Sequence, residues 1–585
     1  MKRYLITTGI KETWRFDEPL VFLGEWCLSL EDKEQLKNTD YVVQDYHWND
    51  RDAMYKDYLY LKKFHEKLIV HITKGLNSYH GSEHSIRYWR IVVGPWLIFF
   101  TQSVYDRWES INKVAESYSI SETCQVKTIN TVPYDFSDFH NMAAGDYWNH
   151  YIFTEVMNYI KLDCKVNKIE LDQVCKAKIN IGYSLSKLKL LAKNLIKRQM
   201  HFFDFLSRFN KFFFIGSYFS ILNQVRLAIK LRQIPVYLVQ SQSVDKKKYL
   251  NKHKHKRDIK FDIYPENDFE KFLEEILVKQ IPLIYLEEYS NTLDRIKNIS
   301  WTRSPEVVFT AGNTIFDDFF KIWVALKVEK GTKLIAGQHG GVYGSGKWES
   351  SEDHDILISD KYFSWGWDAK GVKPLPAQKM INFNSSLSYD KQGGLLHVLG
   401  AFPRYSIRMF SVPMSSQMLG YVDDQLLFIS LLDEFIRRKV VLRGLINGYG
   451  WNEVGRIKIR YPKLAECSAK KMLKSMKKAR LFVGTTNTTG FLEALAANMP
   501  TIIFWNPDHW ELREGAIDDY DNLKKVGILH DSPELAAEMV HKVWNDIDSW
   551  WYRDDTQKAR TEFCFKFARM SPDWGDQWLD AIKNV

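Results

Sequence analysis

The chain has 585 residues, 45% of them hydrophobic and 26% charged, with a formal net charge of +9. That length exceeds one hydrophobic core, so two or three domains are expected, and the composition is ordinary for a soluble folded protein. No run approaches the roughly 18 apolar residues that span a bilayer; the longest, Phe212 to Leu222, is interrupted by Gly216 and Ser217. Six cysteines, Cys27, Cys124, Cys164, Cys175, Cys467 and Cys564, show neither metal-ligand spacing nor a dense framework. They read as reduced thiols in a cytosolic protein. Met1-Lys2-Arg3 is followed by too short an apolar stretch for a secretory leader. A cytoplasmic chain, at most peripheral to an inner membrane, is the expectation. Aromatic residues reach 15%, which suits either sugar and base stacking or a large core.

In chain order, the first strand is expected from Arg3 to Thr8. A loop with Trp14 follows, then Phe22-Leu23-Gly24-Glu25-Trp26-Cys27. Glu25, a carboxylate beside an aromatic, is placed to serve as a base, or is a surface glutamate. Asp52 to Gly75 is charged at helical spacing and predicts a long helix. Ile91 to Phe100, apolar around Pro95, fits helix or strand. Ser184 to Lys197 and Val225 to Leu231 have amphipathic helical patterns, and Ile234 to Val239 is strand-like. The segment Lys246 to Lys260 crowds eight Lys and Arg side chains with His253 and His255. Such a run attracts anionic lipid headgroups or a polyanionic acceptor, or is a solvated loop. No nucleic-acid motif accompanies it, so nucleic acid is not an expected partner.

Glu306 to Thr310 is a clearer strand, leading through Ala311-Gly312-Asn313-Thr314 into a helix that begins at Asp317 and Asp318 and runs to Ala325. The next strand, Lys333 to Gly337, ends at Gln338-His339-Gly340-Gly341-Val342-Tyr343-Gly344-Ser345-Gly346. Its glycines let a backbone approach a ligand closely. His339 can donate to a phosphate or carboxylate, or act as acid or base; the plain alternative is a turn with an incidental histidine. Asp353-His354-Asp355 has ligand types without a partner set. H-E-x-x-H, CxxC, the Walker pattern and G-x-G-x-x-G are all missing from the sequence. No metal site and no cofactor are therefore expected.

A boundary is expected between Asp368 and Gly393, where Lys373-Pro374-Leu375-Pro376 interrupts the periodicity. It separates a domain at 1–375 from one at 390–585. A fresh α/β pattern starts with the strand Leu395 to Gly400, a helix near Asp423 to Arg437 and the strand Val440 to Arg443. Lys458 and Arg460 alternate with Ile457 and Ile459 as on one strand face. With Arg443 they are expected to converge on the next unit and neutralise phosphate charge. That unit is Gly484 to Pro507: an apolar strand, Ala479 to Val483, enters it, a Gly/Thr/Asn turn breaks it, and the helical run Phe491 to Ala496 leads to the strand Thr501 to Trp505. Thr485, Thr486, Asn487, Thr488 and Thr489 stand at the helix start, where unpaired N–H groups and partial positive charge bind phosphate. A simple helix cap is the competing reading. Glu493 is placed to accept from ribose hydroxyls or to complement the helix dipole. Two successive α/β halves with a cleft between them form the natural assembly.

Tyr4-Leu5-Ile6-Thr7-Thr8, Phe22-Leu23-Gly24-Glu25-Trp26-Cys27, Gln338-His339-Gly340-Gly341-Val342-Tyr343-Gly344 and the Gly484 to Trp505 unit together resemble a family of transferases associated with bacterial surface-saccharide biosynthesis. The resemblance covers nearly the whole chain. It implies an α/β fold of GT-B type, with two Rossmann-like domains facing a cleft: an acceptor and catalytic domain at 1–375 with helical insertions, and a nucleotide-sugar-binding domain at 390–585. It implies a nucleotide-sugar donor and a glycan or lipid-linked glycan acceptor. A fainter likeness to capsule-type Kdo transferases and bacterial sialyltransferases implies a CMP-linked donor. There Arg460-Tyr461-Pro462 stands in place of a basic-Pro motif, and the turn from Thr485 to Thr489 in place of a Ser/Thr pair. Glu25 and His339 are expected at the edge of one sheet, acting on one reacting centre beside Gln338, Gly340, Gly341 and Tyr343. Helix dipole and cations would stabilise the leaving phosphate without a metal. A nucleotide-sugar epimerase of similar layout, or a non-catalytic glycan- or lipid-binding assembly factor, are the alternatives.

Overall fold

The computed structural model describes residues 2–127, 131–171, 209–233, 257–299, 301–381, 387–445, 448–469 and 471–585. Three parallel sheets organise them. In the first, β1 (Arg3–Ile6), β2 (Leu20–Phe22), β3 (Tyr41–Val43), β4 (Ile120–Val126) and β5 (Lys165–Ile169) lie in the order β3-β2-β1-β4-β5. The second holds β6 (Phe212–Ile215), β7 (Val307–Thr310), β8 (Lys333–Gly337), β9 (Lys361–Ser364) and β10 (Val372–Pro374) in simple succession. The third contains β11 (Gly394–Val398), β12 (Val440–Arg443), β13 (Ala465–Glu466), β14 (Ala479–Gly484), β15 (Thr501–Phe504) and β16 (Leu529–His530). Its order is β13-β12-β11-β14-β15-β16, which reverses between β11 and β14. In doubly wound sheets such a reversal opens a crevice at the carboxyl ends of the two strands.

The α/β class with parallel strands agrees with the sequence. The first 375 residues, however, carry two sheets where the sequence suggested one. The central strands are near-continuous apolar runs because helices cover both faces; Leu481, Phe482 and Val483 in β14 are all fully buried. Ile91 to Phe100 lies inside one helix, Ile86–Ser117, which carries Pro95. Asp52 to Gly75 lies in the helix Arg51–His80, capped by the Asp50 side chain. Ser184 to Lys197, Ile234 to Val239 and most of Lys246 to Lys260 lie outside the described residues. Of the basic run, Arg257 is described, and its guanidinium pairs with Glu287 at 2.7 Å. Nineteen of the 20 tryptophans are buried, so the aromatic richness belongs to the core. Among the described residues no helix is long and apolar enough to cross a membrane.

The sheets are tied together by buried polar contacts as well as apolar packing. Arg107, fully buried on the helix Ile86–Ser117, donates to Asp106 at 2.7 Å and to Asn149 at 2.8 Å. It also donates to the Ser406 carbonyl in the loop that follows β11. Asp106 accepts in addition from the Tyr46 hydroxyl at 2.6 Å. Breaking a buried pair from one side leaves an uncompensated charge, which costs about 3–5 kcal/mol. Arg107→Met is therefore expected to lower stability by about that much in denaturant titration, and Arg107→Met with Asp106→Asn by distinctly less. A loss below about 1 kcal/mol in the single variant would contradict this role.

Candidate functional site

The second and third sheets present their carboxyl ends to one another, and the loops beyond them meet. His339 to Tyr343 leave β8, Ala401 to Phe410 follow β11, and Thr488 and Thr489 start the helix Thr489–Ala496 after β14. Together they enclose a cavity of about 300 Å³, completed by His140, Phe316 and Tyr449. The close approach depends on Gly341. A Cβ there would lie 2.4 Å from both the Thr488 carbonyl carbon and the Thr489 amide nitrogen, closer than any side chain permits. Gly344 is needed for a second reason: its φ of +78° is left-handed, and a Cβ would meet the Trp367 ring at 2.3 Å.

Gln338 shapes this loop from within. It is fully buried, accepts from the Trp365 backbone and the Trp367 indole at 2.8 Å each, and donates to the Gly340 carbonyl at 2.8 Å. His339 Nε2 lies 2.9 Å from the Tyr343 hydroxyl, and its Nδ1 faces Asp355 Oδ2 at 3.8 Å, too far for a hydrogen bond. Burial, and then the positive charge of Arg408, push the His339 pKa down to about 4, so the ring is neutral at neutral pH. Burial pushes Asp355 up to about 7, against a hydrogen bond from Thr314. His140 on the opposite wall is likewise lowered to about 4 by burial and Arg408.

Arg408 brings positive charge to the cavity. Its guanidinium pairs with Glu349, donates to the Ser351 hydroxyl at 2.6 Å and stacks 4.1 Å from the Phe410 ring centre. Glu352, pushed up to about 7 by burial, accepts from Arg513 at 2.6 Å and from the Gly344 amide. The helix Ser350–Ile358 thus gathers carboxyl groups directly behind the glycine-rich loop.

Of the five polar residues in the Gly484 turn, only Thr488 and Thr489 line the cavity. The Thr485 hydroxyl donates to the Val398 carbonyl at 2.8 Å and bonds the Tyr421 hydroxyl at 2.6 Å. Asn487 donates to Ser345 at 3.2 Å and accepts from Tyr520 at 2.8 Å, so it fastens the turn to the glycine-rich loop. Thr486 bonds Thr488 at 2.9 Å. No side chain caps the helix, which removes the capping reading of the turn.

The other residues expected to bind the donor lie away from this cavity. Lys458 and Arg460 lie on a helix, Glu453–Arg460, not on a strand, and Lys458 pairs with Glu466 at 2.6 Å. Arg443 ends β12 as expected, but its guanidinium turns to the Ala469 carbonyl at 2.6 Å and the Ser475 hydroxyl at 2.8 Å. Glu493 pairs with Lys379 at 3.1 Å. None of the four lines the cavity. Glu25 and His339 do not share a sheet edge: Glu25 follows β2 of the first sheet and His339 follows β8 of the second. Glu25 is ion-paired with Lys33 at 2.8 Å, and its amide donates to the Ser416 hydroxyl at 3.3 Å, beside the lining residue Ser415; Glu25 itself does not line the cavity. Arg408, Tyr449 and His140 were not singled out in the sequence, and Asp355 only within Asp353-His354-Asp355, which lies on the helix Ser350–Ile358. Arg408 carried a usable signal, a cation shortly after the strand Leu395 to Gly400.

A family model described as LIC12162 family transferase matches residues 3–582. The chain belongs to the LIC12162 transferase family. Comparison with curated proteins returns no match. Three solved structures show a partial likeness. S. aureus MnaA with UDP has 12% identity and a TM-score of 0.36, covering 64% of this chain and 96% of that one. WaaG, a glycosyltransferase involved in lipopolysaccharide biosynthesis, has 12% identity and a TM-score of 0.26, covering 51% and 96%. The Thermobaculum terrenum O-GlcNAc transferase has 9% identity and a TM-score of 0.30, covering 90% and 99%. These scores are too low to carry an argument about this member of the transferase family, whose site is read from its own residues.

Two outcomes follow from the geometry. Gly341→Ala should force the glycine-rich loop off the Thr488–Thr489 backbone, lowering the melting temperature by several degrees, which corresponds to roughly 1–3 kcal/mol of overpacking. An unchanged melting temperature would contradict the close approach. Asp355 has a folded pKa of about 7, above its ordinary 3.8. Its stabilising contribution is complete below the unfolded value and is lost as pH rises toward 7. Compared with Asp355→Asn, the parent should therefore lose about 1.4 kcal/mol per pH unit between pH 4 and 7. Parallel stability profiles for the two proteins would contradict the raised value.

Proposed function

We propose that this transferase is a glycosyltransferase of GT-B type that binds a nucleotide sugar in the cavity between the second and third sheets and passes the sugar to a bacterial surface glycan, free or lipid-linked. One observation carries the reading: a neutral imidazole, a guanidinium and an uncapped helix N-terminus converge on one cavity from two sheet edges. The residues 1–375 would supply the reacting groups and the acceptor, and 390–585 the donor site. A CMP-linked 2-keto-3-deoxy sugar is the first donor on sequence likeness, although Arg460 does not reach the cavity. UDP-, GDP- and dTDP-hexoses follow.

In this reading the donor phosphate lies against the Thr488 and Thr489 backbone and Arg408. Both favour the negative charge that grows as the anomeric C–O bond to phosphate breaks. His339 takes the acceptor hydroxyl proton at Nε2, the atom now bonded by Tyr343, while the acceptor oxygen forms the new bond to the anomeric carbon. Asp355, 3.8 Å behind Nδ1 and without a hydrogen bond to the ring, would favour the resulting imidazolium by its charge when ionised. Positive charge supplied by the protein makes a divalent cation unnecessary in this scheme. Membrane association through Lys246 to Lys260 would bring the enzyme to a lipid-linked acceptor.

Calorimetry with CMP, UDP and GDP should show saturable binding of one of them, weakened about tenfold or more in Arg408→Ala. His339→Ala should retain donor binding but lose turnover by roughly 10²-fold or more. No nucleotide binding, or normal turnover in folded His339→Ala, would reject the reading. Turnover should survive excess EDTA; complete loss restored by Mg²⁺ or Mn²⁺ would reject metal independence.

A further inference from the structure

A separate cavity, of about 730 Å³, lies where the chain enters β7 and β8, at the opposite edge of the second sheet from the cleft. The helix Tyr289–Lys297, the segment Trp301 to Arg303 and the end of the helix Asp318–Val328 wall it. Four cationic side chains line it, Lys297, Arg303, Lys327 and Lys330, and among the described residues no carboxylate does. Lys297 is matched by Asp294 at 2.8 Å. Among the described residues Arg303, Lys327 and Lys330 make no ion pair. Lys327 donates instead to the Arg303 carbonyl at 2.6 Å. Burial, and then the charge of Lys330, hold the Lys327 pKa below its ordinary value, as happens where cations crowd without a counter-charge.

One carboxylate touches this wall from behind. Glu329 accepts from His84, a lining residue, and from the Ser85 amide, at 2.8 Å each. Three cations against that single carboxylate leave two positive charges on the space. Lysines near a helix C-terminus also complement the helix dipole, which accounts for Lys327 and Lys330. It does not account for Arg303, which reaches the same cavity from another segment. The remaining wall is apolar: Trp301 and Trp323 meet edge to face with ring centres 5.1 Å apart, beside Leu293 and Ile296. The complement is a doubly negative group on an organic body. Above pH 7 a phosphate monoester carries close to two charges, its second pKa being about 6. A carboxylate carries one.

We propose that this cavity is a binding site for a phosphate monoester, its phosphate held by Arg303, Lys327 and Lys330 and its organic part against Trp301 and Trp323. The site is distinct from the cleft. Phe316, on the cleft wall, precedes the helix Asp318–Val328, and Lys327 stands near the far end of that helix. With 11 residues the helix is about 16 Å long.

The test uses the full chain and calorimetry above pH 7 with three matched probes: phenyl phosphate, benzoate and phenol. Saturable binding is expected for phenyl phosphate, with benzoate and phenol at least about tenfold weaker. Arg303 and Lys330 are exposed, so Arg303→Gln with Lys330→Gln should fold, and it should weaken phenyl phosphate binding about tenfold or more. Lys477→Gln with Lys478→Gln removes two exposed cations from the third sheet's surroundings and should leave the affinity at the parental value. Co-sedimentation with phosphatidylcholine vesicles containing phosphatidic acid separates two sources of the phosphate. Sedimentation that is lost in the Arg303/Lys330 variant assigns it to a lipid headgroup, and its absence assigns it to a free ester. No saturable heat from phenyl phosphate, equal binding of benzoate, parental affinity in the Arg303/Lys330 variant, or an equal loss in the Lys477/Lys478 variant would overturn the proposal.

Discussion

The contact of the Gly341 backbone with Thr488 and Thr489 is the constraint on which the site depends. It joins the carboxyl edge of the second sheet to the helix start of the third with no side chain between them. Around it, Asn487 bonds Ser345, and Arg513 reaches both the Gly346 carbonyl at 3.1 Å and Glu352. The close approach makes one cavity from two loops far apart in sequence, at Gly341 and Thr488.

The same closure explains the protonation pattern. The carboxyl groups of Glu349, Glu352 and Asp355 sit behind the loop, and burial raises all three despite the arginines beside two of them. The histidines facing the cavity are lowered for the same reason. Groups of opposite type are thereby driven toward neutrality on one small surface. Titratable groups perturbed in this way and gathered at a cleft are candidates for a functional site.

The elements that could be read from the sequence were those whose side chains face the core on both sides. β7, β8, β11, β14 and β15 are apolar runs bounded by Gly or Pro, and no neighbour is needed to recognise them. The first sheet was harder. β3 is only Tyr41–Val43, and all three residues are half-buried, while β5 carries Lys165 and Lys168 and has no fully buried residue. Ile457-Lys458-Ile459-Arg460 fits a strand period over four residues, yet only Ile457 is buried and Ile459 is 66% exposed. A helix beginning at Glu453 accommodates that arrangement equally well. For the site, the loop from Gln338 to Tyr343 and the turn at Thr488 were legible because each follows a strand. The inward bonds of Thr485 and Asn487 were not, because their partners Val398, Tyr421, Ser345 and Tyr520 come from distant segments. The separation of Glu25 from His339 depended on a sheet division that no local pattern announces.

Hydrogen–deuterium exchange on the full chain, with and without a nucleotide sugar, tests the central claim most directly. The account predicts slowed exchange on ligand addition at two places together: the amides of Gly340 to Tyr343 and those of Thr488 to Gly490. Protection confined to the first sheet, near Glu25, or to only one of the two loops, would contradict a donor site shared between the second and third sheets.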